Sequence, residues 1–246
     1  MSEFLLILLP IFFFIAVIYS AAGFGGGSSY LAVLALFPLE FTEIRIVALL
    51  CNVVVVSGSV YVYYKKEVLK IKEVLPLVLW SVPLAYLGGS LRINQHVFFI
   101  ILGITLFIAS IAMLIQKPQN TIKLSPFINT AIGGSIGFLS GLVGIGGGIF
   151  LSPLLYLYNW NTAKIIAATT ASFILVNSIA GLIGQVLSNG LAVDLRAIFL
   201  LLITVLIGGQ IGSRITTSRI NPLYIRRITA FLILFVSLRI LWKAIF

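Results

Sequence analysis

The chain has 246 residues, of which 61% are hydrophobic and 9% are charged. Soluble domains carry about 25% charged residues, so this composition excludes a soluble fold and indicates an integral membrane protein. The net charge of +10 does not indicate nucleic-acid binding, because the Lys and Arg residues lie in short gaps between apolar runs, where they orient a protein in the membrane. One cysteine and one histidine exclude an internal disulfide and a Cys/His metal cluster.

Ten apolar runs follow one another along the chain, and we predict a helix for each. They are continuously apolar and do not alternate every second residue, so a β-barrel is disfavoured and the predicted fold class is all-α integral membrane. The second and seventh runs are short and each follows a glycine cluster, so a re-entrant course and a full crossing both stay open for them. The runs are 4–22, 27–37, 43–64, 74–91, 96–116, 125–143, 148–158, 164–187, 195–213 and 223–243.

Glycine motifs recur half a chain apart. Residues 23–27 read Gly-Phe-Gly-Gly-Gly and residues 144–148 read Gly-Ile-Gly-Gly-Gly, 121 positions later. The pair Gly88-Gly89 recurs as Gly208-Gly209 after 120 positions. This shared spacing predicts a duplicated five-segment unit. The predicted units are a first repeat over 1–116, a cytoplasmic linker over 117–124 and a second repeat over 125–246.

An odd number of segments per unit inverts the second copy, and the charges test this inversion independently. The loop 65–72 holds four lysines, whereas its counterpart 188–194 holds none. Basic loops lie on the cytoplasmic side, so we predict this first loop inside and both termini outside. Two inverted repeats with glycine-interrupted short helices are the architecture of many secondary transporters, whose substrate lies near the midplane between the repeats.

Each glycine cluster opens a short helix, where free N–H groups and the positive end of the helix dipole favour an anion. Close helix packing through small residues is the alternative interpretation. The appearance of two clusters in equivalent positions favours the anion site. The predicted backbone donors are Gly25, Gly26, Gly27, Gly146, Gly147 and Gly148.

Polar side chains inside the apolar runs are costly and therefore informative. At a repeat offset of 120, Asn52 matches Ser172 and Ser57 matches Asn177. We predict these four, together with Thr170, as substrate ligands. The open alternative is hydrogen bonding between helices or back to the same helix.

The six acidic residues all fall at segment ends or in loops. A proton relay through a buried carboxylate and a cation-selective acidic ring are therefore disfavoured, and the permeant species is predicted to be anionic or neutral. Arg45, Arg92 and Arg196 are expected near the outer surface, as ordinary surface charge or as an attraction for anions. No catalytic residue, metal or cofactor is predicted.

Taken together, the two Gly-x-Gly-Gly-Gly clusters, Leu87-Gly88-Gly89 and the run from Ile207 to Arg214 resemble the TauE/SafE family of sulfite and organosulfonate transporters. The resemblance covers both halves of the chain, with Ala32 at the place that corresponds to Pro153. It implies transport of sulfur-containing anions such as sulfite, sulfoacetate, taurine-derived products or thiosulfate across the plasma membrane.

The sequence thus predicts a multi-pass carrier of small sulfur-containing anions that works by alternating access in the plasma membrane. An anion channel is the alternative. A membrane-embedded enzyme would need a buried nucleophile, an acid–base pair or a metal set, which the runs do not supply. The expected partners are a small anionic substrate and the lipid bilayer, without nucleic acid. The oligomeric state stays open, a homodimer being one option.

Overall fold

In the computed structural model, residues 1–21, 25–115, 125–158, 160–190, 193–215 and 222–245 are described. This part of the chain forms ten α-helices after a 3-10 turn at Ser2–Phe4, and it contains no strand. The all-α prediction is therefore confirmed for it. The predicted linker 117–124 lies outside the described residues, as do Gly23 and Phe24 of the first glycine motif. The helices are α1 Leu5–Ala21, α2 Gly27–Leu34, α3 Phe41–Lys65, α4 Ile71–Ser90, α5 Gln95–Ile115, α6 Pro126–Val143, α7 Gly148–Leu157, α8 Ala163–Asn189, α9 Leu195–Ile215 and α10 Pro222–Ile245.

Within the described residues, five helices are long and apolar enough to cross a membrane by length and composition, namely α3, α4, α5, α8 and α9. The helices α2 and α7 have eight and ten residues. At 1.5 Å per residue they extend about 12 and 15 Å, which is half or less of a hydrocarbon core of about 30 Å. Neither short helix can cross such a core alone.

Left-handed glycines mark the breaks before these two short helices. Gly26 precedes α2 with φ of 83°, and Gly147 precedes α7 with φ of 82°. Gly144 and Gly146 also have positive φ, and the Gly144 N–H donates to the carbonyl of Ser140 at the end of α6. Residues with a Cβ rarely adopt this conformation, which explains why both breaks are built from glycine.

The helices α4 and α6 approach so closely that three glycines of α6 touch the α4 backbone. A Cβ added to any of the three would lie 1.9 to 2.5 Å from a carbonyl oxygen of α4. Small residues at a spacing of four allow this approach inside a membrane. The pairs are Gly133 with Leu77, Gly137 with Ser81 and Gly141 with Ala85.

The helices α1 and α9 pack in the same manner. Gly208 and Gly212 of α9 face the carbonyls of Phe13 and Val17 of α1. Other contacts recur in pairs: α4 packs on α8 as α9 packs on α3, α2 on α3 as α7 on α8, and α5 on α10. Exchanging α1–α5 with α6–α10 therefore maps these contacts onto one another.

The helices α3 and α8 form the centre of the molecule. Half of the most apolar stretch of α3 and two thirds of that of α8 are buried, more than in the other three long helices. The outward faces of the surrounding helices carry exposed large apolar side chains such as Leu6 and Phe127. A lipid environment tolerates such faces, since it does not penalise exposed hydrocarbon. The glycine breaks pack against the middle of the α3–α8 pair.

Candidate functional site

The carboxamide of Asn52 joins the two glycine motifs. The Gly27 N–H donates to Asn52 Oδ1 over 2.8 Å, and Asn52 Nδ2 donates to the carbonyl of Ile145 over 2.9 Å. Asn52 lies near the middle of α3 and is 1% exposed. The two motifs therefore meet at Asn52, and we name this arrangement of residues 25–27, Asn52 and 144–148 the glycine junction.

Both short helices begin at the glycine junction. The first N–H groups of a helix have no partner within the helix, and neither Gly26 nor Gly147 offers a side chain to cap them, as the described structure shows. At α2 the Asn52 oxygen accepts from one of these groups, the N–H of Gly27. A neutral acceptor thus lies where the end of α2 favours negative charge.

A cavity of about 20 Å³ lies within the glycine junction. It has room for about one water molecule. Glycine at two lining positions leaves room for the Asn52 side chain. A Cβ on Gly25 would lie 2.4 Å from Asn52 Oδ1, and one on Gly27 would lie 2.0 Å from Asn52 Nδ2. The lining residues include Gly25, Gly27, Ser28, Asn52, Ile145 and Gly148.

Four buried hydroxyl groups surround the glycine junction. None of them has a hydrogen-bond partner among the described residues. Ser178 Oγ lies 2.6 Å from the place of a Cβ on Gly146, and Thr170 Cγ2 lies 3.3 Å from that of Gly148. Buried hydroxyls usually find a partner, so each of these four keeps an unused donor near the glycine junction. None of the four residues lines the cavity in the described structure, and the Thr170 atom next to Gly148 is its methyl carbon. The four hydroxyls belong to Tyr30, Ser140, Thr170 and Ser178.

Sequence reasoning found Thr170 in this group and missed the other three. Thr170 and Ser178 are eight residues apart on α8, a spacing that places both on one helical face. That periodicity was the available signal for Ser178. Tyr30 and Ser140 carried no comparable signal, because single hydroxyl residues are common in membrane helices.

Of the predicted side chains, Asn52 lines the cavity, whereas Thr170 and three others are not among the described lining residues. Ser57 is exposed on α3, and its hydroxyl donates to the carbonyl of Val54. Ser172 donates to the carbonyl of Ala168, and Asn177 Nδ2 donates to that of Phe173. All three bond to their own helix, which is the alternative that the sequence left open.

The structure corrects the expectation for Arg45, which is fully buried and not at the outer surface. Its Nη2 donates to the carbonyls of Gly89 and Gly141, over 3.3 and 3.1 Å. Arg92 and Arg196 are exposed, and their place at the outer membrane surface stays a prediction.

Carboxylates are distant from the glycine junction. The six acidic residues lie at or beside helix ends or in loops, and the ion pair between Lys70 and Glu73 is the one found in the described chain. The described residues include no cluster of His, Cys, Asp and Glu that could hold a metal ion. The electrostatics of the junction therefore come from backbone amides, helix ends and neutral polar groups.

Apolar helices of spanning length and a polar site enclosed between two helix breaks are typical of membrane transporters. Residues 8–240 match the family model described as "Sulfite exporter TauE/SafE", so the chain belongs to the TauE/SafE family. It is 34% identical over 238 residues to the probable membrane transporter protein y4hK of Sinorhizobium fredii. The aligned region covers 94% of this chain and 96% of that protein. No solved structure matches the chain.

Proposed function

We propose that this membrane transporter carries small sulfur-containing anions, of the sulfite, sulfonate or thiosulfate type, by alternating access across the plasma membrane. The observation that carries the proposal is the Asn52 carboxamide, which is hydrogen-bonded to both glycine motifs at the middle of α3. In this proposal the chain is multi-pass, with inverted repeats at 1–116 and 125–246 and both termini outside.

The chemistry of the glycine junction favours an anion. Asn52 Oδ1 accepts from the Gly27 N–H, so an anion oxygen can take its place without any change in the donor. A helix end contributes about 0.3–1 kcal/mol, and about 2 kcal/mol when partly buried. Charge-assisted hydrogen bonds contribute about 1.5–3 kcal/mol each. Two helix ends and the hydroxyls of Thr170 and Ser178 contribute up to about 10 kcal/mol together. They offset part of the hydration that an anion loses, which is on the order of tens of kcal/mol in a dry interior.

The small size of the cavity favours a carrier over a channel. A space for about one water molecule is smaller than a sulfite ion, which has four heavy atoms. Substrate binding therefore requires the Asn52 side chain to move and the two glycine motifs to separate. A binding step that opens the site is the essential event of alternating access, whereas a channel needs a continuous pore.

The direction of the central helices supports the inverted repeats. Leu49 lies beside Gly181, and Asn52 and Ser178 both contact the position of a Cβ on Gly146. Residue numbers thus rise on α3 as they fall on α8, so the two equivalent helices are antiparallel. Equivalent helices related by a two-fold axis in the membrane plane must run in opposite directions.

The test is a comparison of anions on purified protein. We expect sulfite, thiosulfate and sulfoacetate to raise thermal stability, by about 2.7 kcal/mol at 100 times the Kd, and neutral solutes to leave it unchanged. Asn52→Leu, similar in volume but unable to form either hydrogen bond, should lose the response. Stabilisation by phosphate alone would refute the substrate class.

Transport in proteoliposomes then separates a carrier from a channel. A carrier exchanges labelled for unlabelled sulfite across the membrane at a rate that saturates with concentration. A channel conducts the anion down its gradient with a conductance far above carrier turnover and shows no such exchange. Conductance without exchange would overturn alternating access and leave the anion site in place.

A further inference from the structure

A fully buried arginine lies on α3, two helical turns before Asn52. Arg45 is 0% exposed, and within the described residues it forms no ion pair. Its Nη2 reaches carbonyls of Gly89 and Gly141, in the last turns of α4 and α6. The negative ends of these two helices partly compensate the charge. Ionisable groups inside a membrane protein are expensive and mark functional sites by default.

Most donors of this guanidinium are unused. Nε and Nη1 are buried, and neither has a hydrogen-bond partner among the described residues. A buried donor that lacks a partner is costly, and more so when it is charged. Two carbonyls would be served by a neutral donor as well, so the contacts with Gly89 and Gly141 do not by themselves account for a cation at position 45.

Gln185 of α8 is also a buried polar side chain without hydrogen-bond partners among the described residues. Its side chain is 0% exposed, and neither Oε1 nor Nε2 has a partner in the described part of the chain. The antiparallel register of α3 and α8 pairs Leu49 with Gly181. One further helical turn in each direction brings Gln185 to the level of Arg45.

The second glycine motif connects this level to the glycine junction. A Cβ on Gly144 would lie 3.1 Å from Arg45 Cβ, and two residues later a Cβ on Gly146 would lie 2.6 Å from Asn52 Nδ2. The motif therefore runs along α3 from Arg45 to Asn52. Seven residues of helix separate the two side chains by about 10 Å along one face.

We propose that Arg45 and Gln185 form a second binding site for the transported anion, about 10 Å to the outer side of the glycine junction. This inference rests on the proposed function. Nε and Nη1 of Arg45 and Nε2 of Gln185 are donors suited to the oxygens of a small oxyanion. A cationic outer site raises the local concentration of the anion at the entrance to the glycine junction.

Gln185→Leu tests this site with little risk to the fold. If Gln185 is only a packing residue, leucine removes two buried polar atoms that lack partners and raises stability, with transport unchanged. If it binds the anion, we expect unaltered or higher thermal stability and a rise of about tenfold in the half-saturating sulfite concentration on the outer side. That fold-change corresponds to one charge-assisted hydrogen bond. Gln95→Leu, at an exposed glutamine, is the matched control and should behave as wild type.

Sidedness makes the measurement specific. In oriented proteoliposomes the half-saturating concentration on the inner side should stay near the wild-type value, since the anion meets the glycine junction first from there. Arg45→Gln should weaken anion binding from the outer side further, by about 100-fold. Lys164→Gln is its control and should have no effect, because Lys164 lies near the start of α8, as Arg45 lies near the start of α3, and is exposed.

The outcomes separate the two proposals. If Gln185→Leu has the wild-type half-saturating concentration on the outer side, the second site is overturned and the proposed function stays intact. The same conclusion follows if this concentration changes equally on both sides. If the wild-type protein transports sulfate, phosphate or chloride but neither sulfite nor thiosulfate, the proposed substrate class is wrong. The second site is then tested by comparing wild type and Gln185→Leu with the anion that is transported. If wild type moves none of these anions, both proposals fail.

Discussion

Gly27→Ala is the most direct perturbation of the glycine junction. Gly27 is the first residue of α2, and a Cβ there would lie 2.0 Å from Asn52 Nδ2 and 2.5 Å from its Cγ. Gly27 is not among the glycines with positive φ, so alanine imposes a clash and no backbone strain. The expected effect is therefore confined to the Asn52 side chain and the cavity.

The size of the effect follows from the contacts that are lost. To admit a methyl group, the carboxamide must leave the Gly27 N–H and the Ile145 carbonyl. Each buried group left without a partner costs about 1–3 kcal/mol. Replacing glycine by alanine returns about 0.4–1 kcal/mol through the unfolded chain. The net expectation is a loss of about 1–5 kcal/mol of stability.

Sulfite binding should also weaken, because the methyl group occupies space in a cavity of about 20 Å³ that the anion needs. We expect sulfite affinity to fall at least about 100-fold, a loss of about 2.8 kcal/mol. Isothermal titration gives the affinity, and thermal unfolding in detergent gives the stability.

Gly209→Ala is the control for Gly27→Ala. A Cβ there meets Val55 Cγ1 at 3.3 Å, a contact that a small shift of that side chain relieves. Its stability and sulfite affinity should stay near wild type. If Gly27→Ala also binds sulfite with wild-type affinity, the space beside Asn52 is not the binding site, and the reasoning from the glycine junction is wrong.

The inverted repeats predict that cysteines replacing Lys70 and Asn189 are labelled from opposite sides of the membrane by an impermeant thiol reagent; labelling from one side would refute the inversion. Glu40→Gln should leave gradient-driven uptake largely intact, since this exposed carboxylate precedes α3, and loss of coupling with binding retained would contradict this. Ser178→Ala should weaken sulfite binding about tenfold, by the loss of one charge-assisted hydrogen bond. Ser57→Ala should bind as wild type, because Ser57 is exposed and bonded to its own helix.

Much of the fold was predictable from local pattern. The lengths of the apolar runs and the glycine clusters anticipated ten helices, and α2 and α7 begin at Gly27 and Gly148 as predicted. Membrane helices satisfy their backbone hydrogen bonds internally, so local sequence determines where they form.

The candidate site was predictable only in part. Glycine motifs and Asn52 could be named, because breaks and buried amides are rare and costly in membrane helices. Ser57 and Ser178 differ by position around a helix and not by residue type, and the face that a helix turns inward depends on its neighbours. Sequence reasoning therefore placed Ser57 at the site and missed Ser178.

Only the tertiary structure decided the position of Arg45. Five residues into its helix, it has the sequence pattern of a surface charge at a membrane boundary. Its burial depends on the close approach of α4 and α6 through Gly137 and Gly141, which brings two helix ends together at one point. The carbonyl dipoles at that point stabilise a cation that neither helix end would hold alone, and this convergence comes from packing between distant segments.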